Sequence, residues 1–254
     1  MRDWYLDERC CRTVRRIGRR ARPGAAPLLA STTTNIKAMS PTQTSITRRA
    51  ISEISEGPCR AILDPLGFRR SAPHFWRLVD GLSQCVNFQS SAWGSRQAGR
   101  FTINLGVSSP ALFEAFIGRS FPKVPAAALW PVSARIGFVM PTQRDLWWEV
   151  DESTDIAKLG AEVADTLHDY AVPWLQSLAT RKELVHAFED RSASLGGVFS
   201  AQVPLVLAIF AAEDGDSTRA RSILGSALDD SRGKPFEKTV RRVADRLAIA
   251  LDPS

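Results

Sequence analysis

The sequence predicts an α+β fold: a mostly antiparallel sheet of about five strands, covered by helices on one face and followed by a helical C-terminal region. Three observations predict it. Between Ile62 and Val107, two runs that alternate apolar and polar side chains meet at Asp80-Gly81, and a third follows a loop rich in Ser, Gly and Arg. Alternation with period two marks half-buried strands, and Asp-Gly is a two-residue turn whose twist suits a hairpin. Apolar residues at helical spacing flank this block, at Ile46, Ala50 and Ile54 before it and at Ile156, Leu159, Val163, Leu167 and Tyr170 after it. From Arg181 onward the pattern is helical throughout.

Taken in order, residues 45–63 predict a helix that Gly57-Pro58 breaks or kinks, because proline clashes with the preceding turn. Asp64-Pro65-Leu66-Gly67 then turns the chain into the sheet. His74 to Val79 and Leu82 to Gln89 form the hairpin. Counting back from its turn pairs Val79 with Leu82, Arg77 with Gln84, Trp76 with Cys85, Phe75 with Val86 and His74 with Asn87. Residues 101–107 form the third strand. ALFEAFIG (111–118) suits a short helix, and FPKVPAAALWP (121–131) an irregular crossing segment. Ala134 to Met140 and Leu146 to Val150 complete the five strands. The helix from about 153 has Ser153 or Thr154 as its cap and Asp155 in its first turn, and Pro173 ends or bends it.

RKELVHAFEDR is a further helix, followed by a break at Gly196-Gly197. A helix pair turns at Gly215-Asp216, and a final helix covers 236–251. The pair resembles a single tetratricopeptide-type hairpin, whereas a solenoid needs at least three such repeats. The expected division is therefore a basic extension over 1–38, an α+β domain over 39–178 and a helical region over 181–254.

Side chains on strands alternate faces. One face collects Phe75, Val79, Leu82, Val86, Phe88, Phe101, Ile103, Leu105 and Val107. The other is mixed, with His74, Trp76, Cys85, Asn87, Gln89, Thr102 and Asn104, joined by Arg135 and Gly137 from the fourth strand. Trp147 and Trp148 point opposite ways, and Glu149 shares the face of Trp147. Amides, a guanidinium and tryptophan on one surface supply fixed donors, acceptors and a stacking plate. The candidate ligand-binding residues are Trp76, Asn87, Gln89, Trp93, Thr102, Asn104, Arg135, Trp147, Trp148 and Glu149, with Arg96 and Arg100 at the rim.

LGFRR (66–70), FWR (75–77), VNFQ with Trp93-Gly94, FTINLGV (101–107), RIG (135–137) and LWWEV (146–150) occur in order. Over roughly residues 45 to 178 they resemble the bacterial domain-of-unknown-function 4304 (DUF4304) family. The resemblance implies a domain and assigns no activity, cofactor or partner.

The formal charge of +6 sits in the first 38 residues, where nine basic side chains meet three acidic ones, leaving 24 of each sign in the rest. A nucleic-acid binder places its charge on a structured face. This segment lacks apolar periodicity, so it is expected to be disordered, with Met39 as the start of translation. Nucleic-acid binding through that arm is kept as an alternative function that the charge distribution argues against. Cys10, Cys11, Cys59 and Cys85 show no zinc spacing, and no apolar run is long enough to cross a bilayer. A cytoplasmic location with reduced thiols is expected, with neither cofactor nor metal.

No phosphate loop, dinucleotide fingerprint, nucleophile elbow or HExxH motif occurs. His168 and His186 lie on helices outside the sheet. Glu149, Asp151 and Glu152 gather at a helix start, where the dipole favours acids. The leading expectation is a non-enzymatic binding or accessory module acting through the mixed sheet face, with no catalytic residue assigned. Its partner, a protein or a small molecule, and its oligomeric state are not written in the sequence. The alternative is a small hydrolase or nuclease-like enzyme using Glu149, Asp151 or His74 with Arg135.

Overall fold

The computed structural model describes residues 45–92, 94–124, 130–189 and 200–251. The basic extension with Cys10 and Cys11, the Met39 start, Trp93, residues 125–129 of the crossing segment and the Gly196-Gly197 break lie outside the described residues.

The chain enters through α1 (Ile46–Glu56) and α2 (Pro58–Leu63), parted at Gly57. The proline has no N–H to contribute and so opens the second helix, where that donor is not needed. A 3₁₀ turn over Asp64–Leu66 closes on Gly67 at φ 81°, a left-handed conformation that glycine adopts without strain.

Six strands follow among the described residues, one more than the alternation suggests. They are β1 (Arg69–Ser71), β2 (His74–Val79), β3 (Leu82–Ser90), β4 (Ala98–Ser108), β5 (Val132–Arg135) and β6 (Trp148–Asp151). The order is β1-β2-β3-β4-β5, every pairing is antiparallel, and β6 also pairs with β4. The long β4 therefore shares one edge between two partners, β5 at residues 104–107 and β6 at residues 98–101. The hairpin register is the one read from the sequence, from His74 opposite Asn87 to Val79 opposite Leu82. Asp80 and Gly81, at φ 47° and 73°, make the mirror-image turn that this register requires.

The fourth sequence-predicted strand is corrected. β5 ends at Arg135, and Ile136–Val139 forms a helical turn, α4. Gly137 lies in that turn instead of on the sheet. A Cβ there would fall 2.0 Å from the carbonyl oxygen of Arg144, so only glycine admits this backbone approach, which an Arg144 N–H to Gly137 carbonyl bond of 3.1 Å fixes.

The remaining helices are α3 (Pro110–Ile117), α5 (Ile156–Thr166), α6 (Val172–Gln176), α7 (Arg181–Glu189), α8 (Val203–Glu213), α9 (Ser217–Ser231) and α10 (Glu237–Arg246). Asp155 itself caps α5, its Oδ1 accepting the Lys158 N–H at 3.0 Å, in place of Ser153 or Thr154. Pro173 does not end the helix. A π turn over Leu167–Ala171 joins α5 to α6, and the proline occupies the start of the new segment. The last helix stops at Arg246 instead of continuing to 251. Ala248 at φ 54° closes it, and Ile249, whose N–H donates to the Ala244 carbonyl, folds back as a buried residue.

The apolar sheet face is the core, with Phe75, Val86, Phe101, Ile103, Leu105 and Val107 fully buried. Each such side chain contributes roughly 1.5–3 kcal/mol by leaving water. α1 packs on β4 and β6, and α5 packs on α1 and α2. Leu205, Ile209, Leu224 and Val240 of the C-terminal helices join the same apolar cluster. Trp148 belongs to this face. It stacks on Phe101 with ring centroids 5.4 Å apart and donates its Nε1–H to Glu162 at 2.9 Å.

Candidate functional site

The observed register turns the mixed face into rows of directly opposed residues. His74 faces Asn87, Asn87 faces Asn104, and Asn104 faces Arg135, giving one polar row across β2, β3, β4 and β5. Beside it runs a second row of Trp76, Cys85, Gly106 and Ser133. On the other side Gln89 faces Thr102, and beyond them Arg100 faces Glu149 of β6. Trp147, just before β6, falls on this same face, so of the tryptophan pair only Trp147 reaches the candidate site.

This face is not an open solvated surface. Asn87 and Asn104 are 7% and 8% exposed, and Thr102, Ser83 and Cys85 are fully buried. Part of the cover is Trp130, whose indole lies flat on β4 because position 106 carries no side chain. A Cβ there would sit 3.0 Å from the ring. Trp130 and Cys85 form a small separate apolar cluster with Trp76 and Phe121 against them. Glycine within a strand signals this kind of close approach, and it is the one feature of the sequence that points to the cover.

The polar row is held by its own hydrogen bonds. Asn104 Nδ2 donates to Gln89 Oε1 at 2.8 Å and to Asn87 Oδ1 at 3.4 Å. Asn87 Nδ2 in turn donates to His74 Nδ1. A ring nitrogen that accepts is unprotonated, so His74 is neutral in this arrangement and carries its proton on Nε2. Its pKa is pushed below the ordinary 6.5 by burial, which penalises the imidazolium.

At the far end Arg135 donates to both carboxylate oxygens of Asp145, at 2.9 and 2.7 Å, and Asp145 also accepts the Trp147 Nε1–H at 2.9 Å. The guanidinium groups of Arg135 and Arg100 lie 5.0 and 4.9 Å from the Trp147 ring centroid. Arg69 lies 5.7 Å from the Trp76 ring at the opposite edge.

The pieces of the alternative enzyme are not brought together. Two asparagines separate His74 from Arg135 along the row, at about 5 Å per step between opposed residues. Asp151 accepts from the Ser153 hydroxyl and amide and from the Thr154 hydroxyl. Those bonds, led by Ser153, hold its carboxyl below the usual range, so Asp151 shapes the turn into α5. Among the described residues no three His, Cys, Asp or Glu side chains converge as a metal site requires, and no helix is long and apolar enough to cross a membrane.

Sequence reasoning did not assign Asp145, which organises both Arg135 and Trp147. The only available signal was its place two residues before the tryptophan. Arg100, expected at the rim of the face, is exposed and lies over Trp147.

Neither the curated proteins nor the solved structures compared with this chain give a match. Residues 59–177 match the family model described as Domain of unknown function (DUF4304), slightly less than the span of the sequence resemblance. That segment holds the six strands described and the whole polar row, so the part of the chain that carries the candidate site is the part that matches the DUF4304 family.

Proposed function

We propose that this protein is a cytoplasmic binding or accessory module that acts by holding a partner or small molecule on the mixed face of its sheet. The observation that carries this reading is the interlocked polar row of His74, Asn87, Asn104 and Gln89. Its side chains are preset by mutual hydrogen bonds before any ligand arrives, and preorganisation lowers the entropy cost of binding. Amides neither gain nor lose protons near neutral pH, so the row supplies recognition and no acid–base pair. Cys59 and Cys85 are both buried free thiols, which suits a reducing compartment.

The test is native mass spectrometry and affinity capture with the full chain, beside a variant carrying Arg100→Ala and Gln89→Ala. These positions are exposed and half-buried, so the change spares the buried asparagines, although Asn104 loses its Gln89 acceptor and keeps only its bond to Asn87. The expected result is a species retained by the parent and lost by the variant, both giving the same unfolding curve. Equal retention by both would exclude this face as the binding surface.

A further inference from the structure

We propose that the corner of the mixed face formed by Arg100, Thr102 and Gln89 binds a carboxylate group, with Trp147 as the plate beside it. The inference rests on the reading of that face as a binding surface and names the chemistry of what it takes.

The donors at this corner are used unequally. Asn104 uses both hydrogens of its amide within the row, on Gln89 and Asn87. Gln89 accepts through Oε1, which turns its Nε2 and two hydrogens away from that bond. Its Nε2 has no acceptor among the described residues. Thr102 stands directly opposite Gln89, is 0% exposed, and its Oγ1 has no hydrogen-bond partner. Arg100, next but one along β4 and exposed, lies over Trp147, and its guanidinium donates to no group among the described residues.

A fully buried hydroxyl, a half-buried amide and an exposed guanidinium are thus three unused donors on neighbouring positions of one sheet face. Buried polar groups are ordinarily paired, and an unpaired one is worth a specific explanation. Three donors with one positive charge fit a two-oxygen anion. The guanidinium matches a carboxylate bidentately, and charge-assisted bonds are about twice as strong as neutral ones. Glu149 faces Arg100 across the β4–β6 ladder without an ion pair to it, and its charge opposes an incoming carboxylate. That opposition makes Glu149 a sensitive control.

The test uses the full chain, isotopically labelled, and follows the side-chain amide resonance of Gln89 by NMR, assigned by its loss in Gln89→Met. Benzoate is the first probe and benzamide, its uncharged counterpart of the same shape, the second. Benzoate is expected to move the resonance to saturation and benzamide to leave it in place. Thr102→Val and Arg100→Gln should each weaken benzoate about tenfold, the loss of one bond to a charged group. Glu149→Gln should tighten it severalfold. A short peptide with a free C-terminus, compared with its C-terminal amide, separates a chain-end carboxylate from a free organic acid as the source.

Equal shifts with benzamide and benzoate would overturn the carboxylate assignment while leaving the binding face intact. Undiminished affinity in Thr102→Val, or no shift with any probe, would overturn it as well. Failure of the broader reading would appear separately, as equal capture by the parent and the Arg100→Ala, Gln89→Ala variant.

Discussion

The two faces of the sheet are both buried and both carry polar side chains, but they use them differently. On the core face Gln84 is fully buried and completely used. Its Nε2 donates to the carbonyls of Leu175 and Leu178, the second at 3.3 Å, and its Oε1 accepts from Arg77 Nε at 2.9 Å. Arg77 continues to the Leu66 carbonyl at 2.8 Å and lies over Phe68. This chain of bonds ties β2 and β3 to the end of α6 and the turn that follows it. On the mixed face the amides bond to one another, and the Gln89 amide nitrogen, the Ser83 and Thr102 hydroxyls and the Trp130 indole N–H are left over. Polar groups that serve the fold end on backbone.

The largest effect that would break this contrast is on the core face. Gln84→Leu removes three bonds at once and leaves the Leu178 carbonyl and the Arg77 Nε without the partner they have here, while the Leu175 carbonyl keeps the Leu178 N–H at 3.3 Å. The expected loss is about 3 kcal/mol, from the cost of unsatisfied buried groups, measured as a lower midpoint in urea unfolding. A loss under about 1 kcal/mol would mean these groups find other partners, and Gln84 would lose its role as a tie. On the mixed face the sign should reverse. Thr102→Val keeps the shape and removes a hydroxyl with no partner, so the unliganded protein should gain about 1 kcal/mol. A loss instead would show that the hydroxyl is already satisfied and would erase the difference between the faces.

The parts of this fold that were legible in the sequence are those set by local rules. Asp80-Gly81 and period-two alternation fix the β2–β3 register to the residue, and the register alone assigns Trp147 and Trp148 to opposite faces. β1 was missed because three residues are too few to show a period, and its turn at Ala72-Pro73 carries no hairpin signature. Ile136–Val139 looks like strand because its apolar content is high, while its shape is set by the backbone of Arg144 against Gly137. The cover over the mixed face depends on Trp130 landing on Gly106, a contact between residues 24 apart that no local pattern encodes. For the same reason the burial of Asn87 and Asn104 cannot be read from the strand pattern. Gln84 was paired correctly with Arg77, yet its tie to Leu175 and Leu178 spans 91 and 94 residues and leaves no trace in the strand pattern.

The smallest expected effect sharpens the contrast through pH. His74 closes the polar row as an acceptor, so protonation of Nδ1 would place a donor against the Asn87 Nδ2 donor and force the amide to turn. Burial already holds its pKa below 6.5. As pH falls through about 6.5 the unfolded chain therefore takes up a proton that the folded chain does not. Stability is full above that point, declines below it, and levels off once the folded imidazole is protonated as well. Burial raises the Glu213 carboxyl above its usual 4.5, so the folded state takes that proton first and Glu213 acts in the opposite direction at the lower end of the range. The comparison that isolates His74 is parent against His74→Gln, unfolded in urea at intervals from pH 7.5 to pH 5. Glutamine can still accept from Asn87 but does not titrate. The parent should lose stability across this window and His74→Gln should lose less. Parallel curves would mean that His74 titrates alike in the folded and unfolded chains, and that the row does not end on a neutral ring.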